Sequence, residues 1–93
     1  MPKARARHIL VESEMICEDL MKDIENGEDF AHLARFFSSC SSGSEGGDLG
    51  EFEKGRMVPE FDALVFSGEI GRLYGPVKTK FGYHIIEILS RED

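Results

Sequence analysis

The chain has 93 residues, of which 41% are hydrophobic, and this is enough for one compact core but too little for two. The net charge of −7 argues against a nucleic-acid-binding protein, which needs a basic surface. No apolar stretch approaches the roughly 20 residues that span a bilayer, and too few apolar residues follow the basic N-terminus for a secretory signal. We therefore expect one cytoplasmic, monomeric domain over residues 1–93 that binds neither nucleic acid nor membrane.

The first predicted element is a strand over residues 5–11. Alternation along a strand puts His8 and Leu10 on one face and Ile9 and Val11 on the other. Burying a polar ring costs free energy unless the ring finds a hydrogen-bond partner. The imidazole of His8 therefore needs a partner from elsewhere in the chain.

Two amphipathic helices follow the strand. Ser13 can cap the first helix, which ends at Asn26-Gly27, and Asp29 can cap the second. The apolar positions expected to face the core are Ile16, Leu20 and Ile24, flanked by Cys17 and Met21, in the first helix, and Phe30, Leu33, Ala34 and Phe37 in the second. The first helix and its flanks are strongly acidic, which is typical of a solvated face; a docking surface for basic partners is the alternative.

A polar, glycine-rich segment over residues 38–47 separates these helices from the second half of the chain. Neither flank is large enough to fold alone, so we interpret the segment as an ordered surface loop that carries function rather than as a linker.

The remaining predicted elements are a strand, a helix and a hairpin. They comprise a strand over 48–52, a helix with Pro59 in its first turn and Phe61, Leu64 and Val65 on its buried face, and hairpin strands over 77–79 and 83–89, with Gly75-Pro76 at the opening and Lys80-Phe81-Gly82 at the turn. Helices grouped apart from a largely antiparallel sheet predict an α+β domain.

A second strand histidine, His84, lies in the run Phe81-Gly82-Tyr83-His84-Ile85-Ile86, on the same predicted face as Ile86 and Ile88. A lone histidine on an apolar face is typically structural. His8 and His84 could instead be each other's partner, but only if their strands are neighbours, which periodicity alone does not establish. His32 lies outside the apolar stripe of its helix and is expected to face solvent.

The two cysteines, Cys17 and Cys40, are expected to be free thiols in a small acidic domain without a leader. Cys17 lies on a helix flank and is expected in the core. Cys40 lies in the polar loop, where it could be a reactive or polarising thiol or a small filler beneath the loop. The cysteines and histidines do not form a zinc-binding spacing, so we expect no metal.

Three large apolar residues form a further group of interest. Met57 and Phe61 are four positions apart across the start of the third helix, and Phe81 occupies the predicted hairpin turn. Core packing explains the first two well but a turn aromatic poorly, and clustered exposed aromatics indicate a binding surface.

The chain resembles the parvulin-type peptidyl-prolyl cis/trans isomerases, and most closely the small stand-alone bacterial parvulins. The resemblance covers essentially the whole chain. Three stretches carry it: His8-Ile9-Leu10-Val11, Gly46-Gly47-Asp48-Leu49-Gly50-Glu51-Phe52, and Gly75-Pro76-Val77-Lys78-Thr79-Lys80-Phe81-Gly82-Tyr83-His84-Ile85-Ile86.

The resemblance implies a fold and a set of site residues. The fold is a four-stranded antiparallel sheet surrounded by about four helices, with one short helix among residues 39–45. The implied catalytic set is the paired histidines His8 and His84, Thr79 supporting them by a hydrogen bond, and Cys40 beside the substrate peptide bond. The implied proline pocket is Leu49, Met57, Phe61 and Phe81.

The resemblance also implies a function, which is isomerisation of Xaa-Pro bonds in proline-containing polypeptides and folding intermediates, with no cofactor. A non-catalytic proline-peptide binding module is the alternative, although such a module gains little from burying a polar set of residues. A thiol hydrolase using Cys40 and a histidine is a third class, but it lacks an evident oxyanion site.

One departure from the family pattern affects substrate choice. The branch that prefers phosphorylated Ser/Thr-Pro carries a basic cluster in the loop after the first strand. Here that loop contains Glu12-Ser13-Glu14, which would repel a phosphate dianion. We therefore predict no phosphate requirement. Residues 67–74 are the stretch least like the family.

Overall fold

The computed structural model describes residues 1–92. Four strands form one antiparallel sheet in the order β2-β1-β4-β3, so the first and last strands of the chain are neighbours at its centre. The strands are β1 (Lys3–Val11), β2 (Asp48–Glu53), β3 (Leu73–Thr79) and β4 (Gly82–Glu92); the helices are α1 (Glu14–Glu25), α2 (Phe30–Phe37) and α3 (Pro59–Val65), with a 3₁₀ helix at Ser41–Glu45. The predicted α+β fold is confirmed, and the short helix expected among residues 39–45 is present as the 3₁₀ helix.

The two faces of the sheet carry separate apolar clusters, because successive side chains of a strand point to opposite sides. On one face Ile9, Val11 and Ile85 pack against α1 and α2. On the other face Ile86 and Ile88 pack with residues of α3. The strand alternation predicted from the sequence is therefore confirmed.

Helix α1 begins as predicted, with the Ser13 hydroxyl accepting a hydrogen bond from the backbone N–H of Ile16 at 3.3 Å. The predicted buried face is wrong at Ile16, whose side chain is 47% exposed. The helix packs instead through positions i, i+3, i+4 and i+7, and this stripe leaves the neighbouring position outside. The packed residues are Cys17, Leu20, Met21 and Ile24.

Helix α2 begins at the predicted cap, where the Asp29 carboxylate accepts from the backbone N–H of His32. Phe30, Leu33 and Ala34 are buried as predicted, but Phe37 at the last position is half exposed. The apolar stripe extends one residue beyond the packed part of the helix because the chain turns away at Ser38. The hydroxyl of Ser38 accepts a hydrogen bond from the backbone N–H of Leu10.

The ends of the strands differ from the predicted boundaries. β1 begins at Lys3 rather than residue 5, and β4 runs from Gly82 to Glu92 rather than over 83–89. β3 begins at Leu73, so Gly75-Pro76 lies inside a strand instead of opening the hairpin. β3 lies at an edge of the sheet, where a missing backbone N–H is tolerated.

Within residues 1–92, no helix is long and apolar enough to cross a membrane.

Candidate functional site

The two strand histidines meet at the centre of the sheet. The antiparallel register of β1 and β4 pairs Leu10 with His84 and His8 with Ile86, which puts the two imidazoles on the same face. Their Nδ1 atoms are 2.9 Å apart, and the rings stack with centroids 5.1 Å apart and an interplanar angle of 17°. Both side chains are buried. The pairing hypothesis drawn from the sequence is geometrically correct.

Each outer ring nitrogen has a hydroxyl partner. His84 Nε2 lies 2.7 Å from Oγ1 of Thr79, and His8 Nε2 lies 3.1 Å from Oγ of Ser42. The same Thr79 oxygen accepts the backbone N–H of Phe81 at 3.1 Å. The result is a continuous hydrogen-bonded row from the 3₁₀ helix, through both histidines, to the β3–β4 turn.

The protons in this row can be assigned from the donors and acceptors present. Thr79 is buried, and His84 Nε2 is the acceptor within reach of its hydroxyl proton among residues 1–92. Thr79 therefore donates to His84 Nε2, and His84 must carry its proton on Nδ1. That proton is donated to His8 Nδ1, which leaves His8 protonated at Nε2 and donating to Ser42.

Burial keeps both rings neutral. Desolvation, together with the neighbouring His84, lowers the pKa of His8 to about 4. Burial also lowers the pKa of His84, although the carboxylate of Glu60 acts in the opposite direction. In a neutral pair, one Nδ1 atom donates its proton to the other. If both rings were charged, both Nδ1 atoms would carry protons and two donors would face each other.

The loop that supplies Ser42 is held against β1 by backbone hydrogen bonds. His8 donates its backbone N–H to Gly47 at 3.0 Å, and Gly47 donates to the carbonyl of Ser42 at 2.8 Å. Gly47 has φ of +86°, and a Cβ there would collide with the carbonyl oxygen of His8. Only glycine lets the loop approach the strand this closely.

A cleft of about 490 Å³ opens above the histidine pair, and we refer to it as the cleft. Phe61 forms its floor, with its ring edge-on to both imidazoles at centroid distances of 5.5 and 5.6 Å. Phe81 stands at the mouth and is 58% exposed. The lining residues are His8, Leu10, Ser39, Cys40, Leu49, Arg56, Met57, Val58, Phe61, Phe81 and His84.

The two cysteines are free and lie in different settings. Cys40 is half-buried, precedes the 3₁₀ helix and lines the cleft. Cys17 lies on the buried face of α1 and is fully buried in the core, as predicted. Burial raises the pKa of its thiol to about 11, with smaller contributions from Glu18 and Glu14. Cys17 is therefore an inert core thiol, whereas Cys40 faces the space that a ligand would fill.

The predicted site residues come together in the structure. His8, Cys40, Leu49, Met57, Phe61, Phe81 and His84 all line the cleft, and Thr79 lies beneath it, bonded to His84. Their individual roles in binding and catalysis stay predictions. His32 is exposed and takes no part, as expected. In residues 1–92, no group of three or more His, Cys, Asp or Glu side chains is arranged to hold a metal ion.

Sequence reasoning missed Ser42 and Arg56. Ser42 is one of several serines in the polar loop, and no pattern distinguishes the one that reaches His8. For Arg56 the sequence does contain a signal: it is a cation directly before Met57, a predicted pocket residue.

An antiparallel sheet with a buried histidine pair beneath an apolar cleft defines a parvulin-like domain. The family described as Rotamase, PPIC-type PPIase domain, matches residues 5–90, and the chain belongs to this family. The resemblance to the parvulins seen in the sequence is thus confirmed.

Known relatives include both long and short proteins. The foldase protein PrsA of a Geobacillus species is 44% identical over 93 residues, covering 99% of this chain and 34% of that protein. PrsA of Caldanaerobacter subterraneus is 51% identical over 84 residues, covering 89% and 28%. The chain thus spans about a third of the length of the curated relatives it matches.

Solved structures show the same fold at both lengths. The peptidylprolyl isomerase PrsA of Bacillus anthracis superposes with a TM-score of 0.95 at 38% identity, covering 99% of this chain and 43% of that one. NmPin, the parvulin of Nitrosopumilus maritimus, superposes with a TM-score of 0.86 at 36% identity, covering 97% and 98%.

Proposed function

We propose that this chain catalyses cis/trans isomerisation of Xaa-Pro bonds in proline-containing polypeptides and folding intermediates. The observation that carries the proposal is the apolar cleft directly above a neutral, hydrogen-bonded histidine pair, in a domain of the PPIC-type family. The foldase and peptidylprolyl isomerase names of its relatives support the same activity.

The reaction requires no bond to the protein. Amide resonance imposes a rotational barrier of about 18–20 kcal/mol, and Xaa-Pro bonds exchange over tens to hundreds of seconds. A catalyst must bind the twisted amide more tightly than either planar form, and each 1.36 kcal/mol of that preference gives about a tenfold acceleration.

In this proposal the apolar residues hold the proline ring. Phe61 forms the floor of the pocket, Met57 and Leu49 add to its lining, and Phe81 closes the mouth. With the ring anchored, the preceding carbonyl is free to rotate. Removing water from that carbonyl weakens the resonance that enforces planarity, which lowers the barrier.

The histidine pair serves as a scaffold rather than as acid and base. Both rings have lowered pKa values, and both outer nitrogens are engaged by hydroxyls, so neither is a ready proton donor to substrate. Cys40, at the cleft wall, adjusts the local field beside the rotating bond.

A covalent adduct of Cys40 is the rival mechanism, and Cys40→Asp separates the two. Non-covalent rotation predicts that the variant keeps kcat/KM within about tenfold of wild type, because an aspartate also supplies a polar group at that place. Near-complete loss in a variant that remains folded would favour the covalent route.

The activity is tested by NMR exchange spectroscopy on an Ala-Xaa-Pro peptide series. Catalytic amounts of protein should enhance cis/trans exchange for several members. Binding without enhanced exchange for any member would overturn the isomerase proposal and favour the non-catalytic binding module.

We also propose that the domain acts as a monomer in the cytoplasm. The net charge of −7 opposes self-association, and two free thiols fit a reducing compartment. Sedimentation equilibrium tests the first statement, and fractionation of the producing cells tests the second.

A further inference from the structure

Arg56 is the one formally charged side chain among the described residues that line the cleft, in a chain whose net charge is −7. It directly precedes Met57 and lies at the edge of the proposed proline pocket. No carboxylate of residues 1–92 lines the same space. The charge at the cleft is therefore opposite to the charge of the molecule.

The guanidinium of Arg56 is available to a ligand. Its backbone N–H is bonded to the carbonyl of Glu53, but its side chain makes neither an ion pair nor a hydrogen bond within residues 1–92. The two arginines of β1 differ: Arg5 pairs with Asp48, and Arg7 pairs with Glu87. A free guanidinium presents a fork of donors that matches a carboxylate.

The surroundings of Arg56 contain charges of both signs. Lys80 stands at the same mouth, with its ammonium 5.2 Å from the ring centroid of Phe81. The acidic helix α1 packs on the opposite face of the sheet, away from the histidine pair. The carboxylates of α1 are thus separated from the cleft by the sheet. Two carboxylates of α3 lie on the cleft's side: Glu60 acts electrostatically on His84, and Asp62 accepts the backbone N–H of Gly55, the residue before Arg56.

Arg56 also stands where the cleft meets a second groove. This neighbouring groove has a volume of about 450 Å³ and is lined by Lys3, Glu51, Phe52, Glu53 and Arg56. A peptide that leaves the proline pocket on this side passes Arg56 first and then Lys3, Glu51 and Glu53, where the glutamates outnumber the lysine. The arrangement attracts one acidic side chain close to the proline and disfavours further acidic residues beyond it.

We propose that Arg56 makes the domain select substrates that carry a single acidic side chain near the isomerising proline. This selection rests on the isomerase function proposed above. It is compatible with the predicted absence of a phosphate requirement, because Glu12 and Glu14 follow the C-terminal end of β1, whereas Arg56 borders the groove that contains Lys3, the first residue of β1.

The test compares peptides in which Glu or Gln is placed at each of the two positions on either side of the proline, using kcat/KM from NMR exchange. At one position wild type should prefer Glu by about two- to fivefold, the range expected of an exposed ion pair. The preference should fall as ionic strength rises, since salt screens such pairs.

Two variants and a control isolate the residue. Arg56→Gln should bring the Glu-to-Gln ratio down at least halfway to one, and Arg56→Glu should replace it with a preference for Lys over Gln. Lys54→Gln removes the same charge two residues away, outside both grooves, and should keep the wild-type ratio.

The outcomes distinguish this inference from the proposed function. Equal kcat/KM on Glu and Gln peptides at every position would overturn the proposed selection but not the isomerase function. A Glu preference that survives both Arg56 substitutions would do the same. No catalysis on any peptide overturns the isomerase function and this inference together.

Discussion

Two imidazoles whose Nδ1 atoms face each other at 2.9 Å can share only one proton between them. Thr79 and Ser42 at the two ends decide which ring holds it. Because Thr79 donates inward and also accepts from the backbone of Phe81, the row is fully satisfied only while both rings are neutral. This single requirement links the chemistry of the site to its stability.

Stability should therefore depend on pH through the histidines. The pKa of His8 is lowered to about 4 in the folded state, so the unfolded state binds more protons between pH 4 and about 6.5. The free energy of unfolding should be highest above pH 6.5 and fall by a few kcal/mol as the pH drops towards 4. Urea titrations across this range measure it.

The exposed His32 offers a control for this prediction. His32→Gln should retain the same pH dependence, because that ring has no part in the buried row. A free energy of unfolding that stays constant between pH 6.5 and 4 would contradict the assignment of a neutral pair. Imidazole ¹⁵N spectra should show His84 protonated at Nδ1 and His8 at Nε2.

Thr79 provides a second test at the residue scale. Thr79→Val keeps the shape but leaves His84 Nε2 and the Phe81 N–H without their partner, which should cost about 1–3 kcal/mol of stability and lower kcat/KM. Thr79→Ser restores the hydroxyl and should recover most of both. Equal behaviour of the two variants in denaturation and exchange assays would show that the hydroxyl is unimportant.

At the scale of elements, the cleft is assembled from parts distant in the sequence. The loop with Cys40 and Ser42, the start of α3 and the β3–β4 turn each supply one wall. The loop depends on its close approach to β1 at Gly47, where both a positive φ and the lack of a Cβ are needed. The wall formed by this loop and the hydrogen-bonded row of histidines thus both depend on the contact at Gly47.

Gly47→Ala should break that anchor. A residue with a Cβ at φ of +86° is strained by about 1–2 kcal/mol, and the collision with the His8 carbonyl adds to this. Gly55→Ala is a matched control, because Gly55 has φ of +94° but open space around it. Urea denaturation should show a larger loss of unfolding free energy for Gly47→Ala than for Gly55→Ala. The kcat/KM should fall only in Gly47→Ala. Similar losses in both would argue against the contact.

The β3–β4 turn contributes Phe81, which is exposed and so adds little to the core. Phe81→Ala should lower kcat/KM by about tenfold, the effect of losing part of the pocket, with little change in Tm. Phe36→Ala removes another exposed ring, one that does not line the cleft, and should leave both quantities unchanged. A wild-type kcat/KM for Phe81→Ala would remove it from the binding site.

At the scale of the whole molecule, the acidic helix α1 and the cleft with its single guanidinium lie on opposite faces of the sheet. The loop between β1 and α1 carries Glu12 and Glu14 where a phosphate-reading relative would carry basic residues. The net charge of −7 also repels a phosphorylated peptide at long range.

We therefore expect phosphorylation to give no advantage. A phospho-Ser-Pro peptide should have a kcat/KM no higher than the matching Ser-Pro peptide in the exchange assay. Glu12→Lys combined with Glu14→Lys should raise the phosphopeptide value relative to wild type. A clear wild-type preference for the phosphopeptide would contradict the charge argument.

The sequence alone determined most of the helices and strands, because local signals specify where these elements begin and which face of a strand is buried. The caps at Ser13 and Asp29, Pro59 at the start of α3 and the strand alternation around His84 all act over a few residues. Motif resemblance then assigned the site residues. The apolar period does not by itself set the buried face of a helix: Ile16 and Phe37 match the period but are exposed, because packing decides which part of a stripe is covered.

Tertiary structure decided whether those residues form a site. His8 and His84 are 76 positions apart, and only the strand order β2-β1-β4-β3 brings their rings together. Ser42 and Arg56 gain their places from loop geometry that has no local sequence period. Hydrogen bonds and charge at the cleft depend on distances between remote segments, and the fold alone sets those distances.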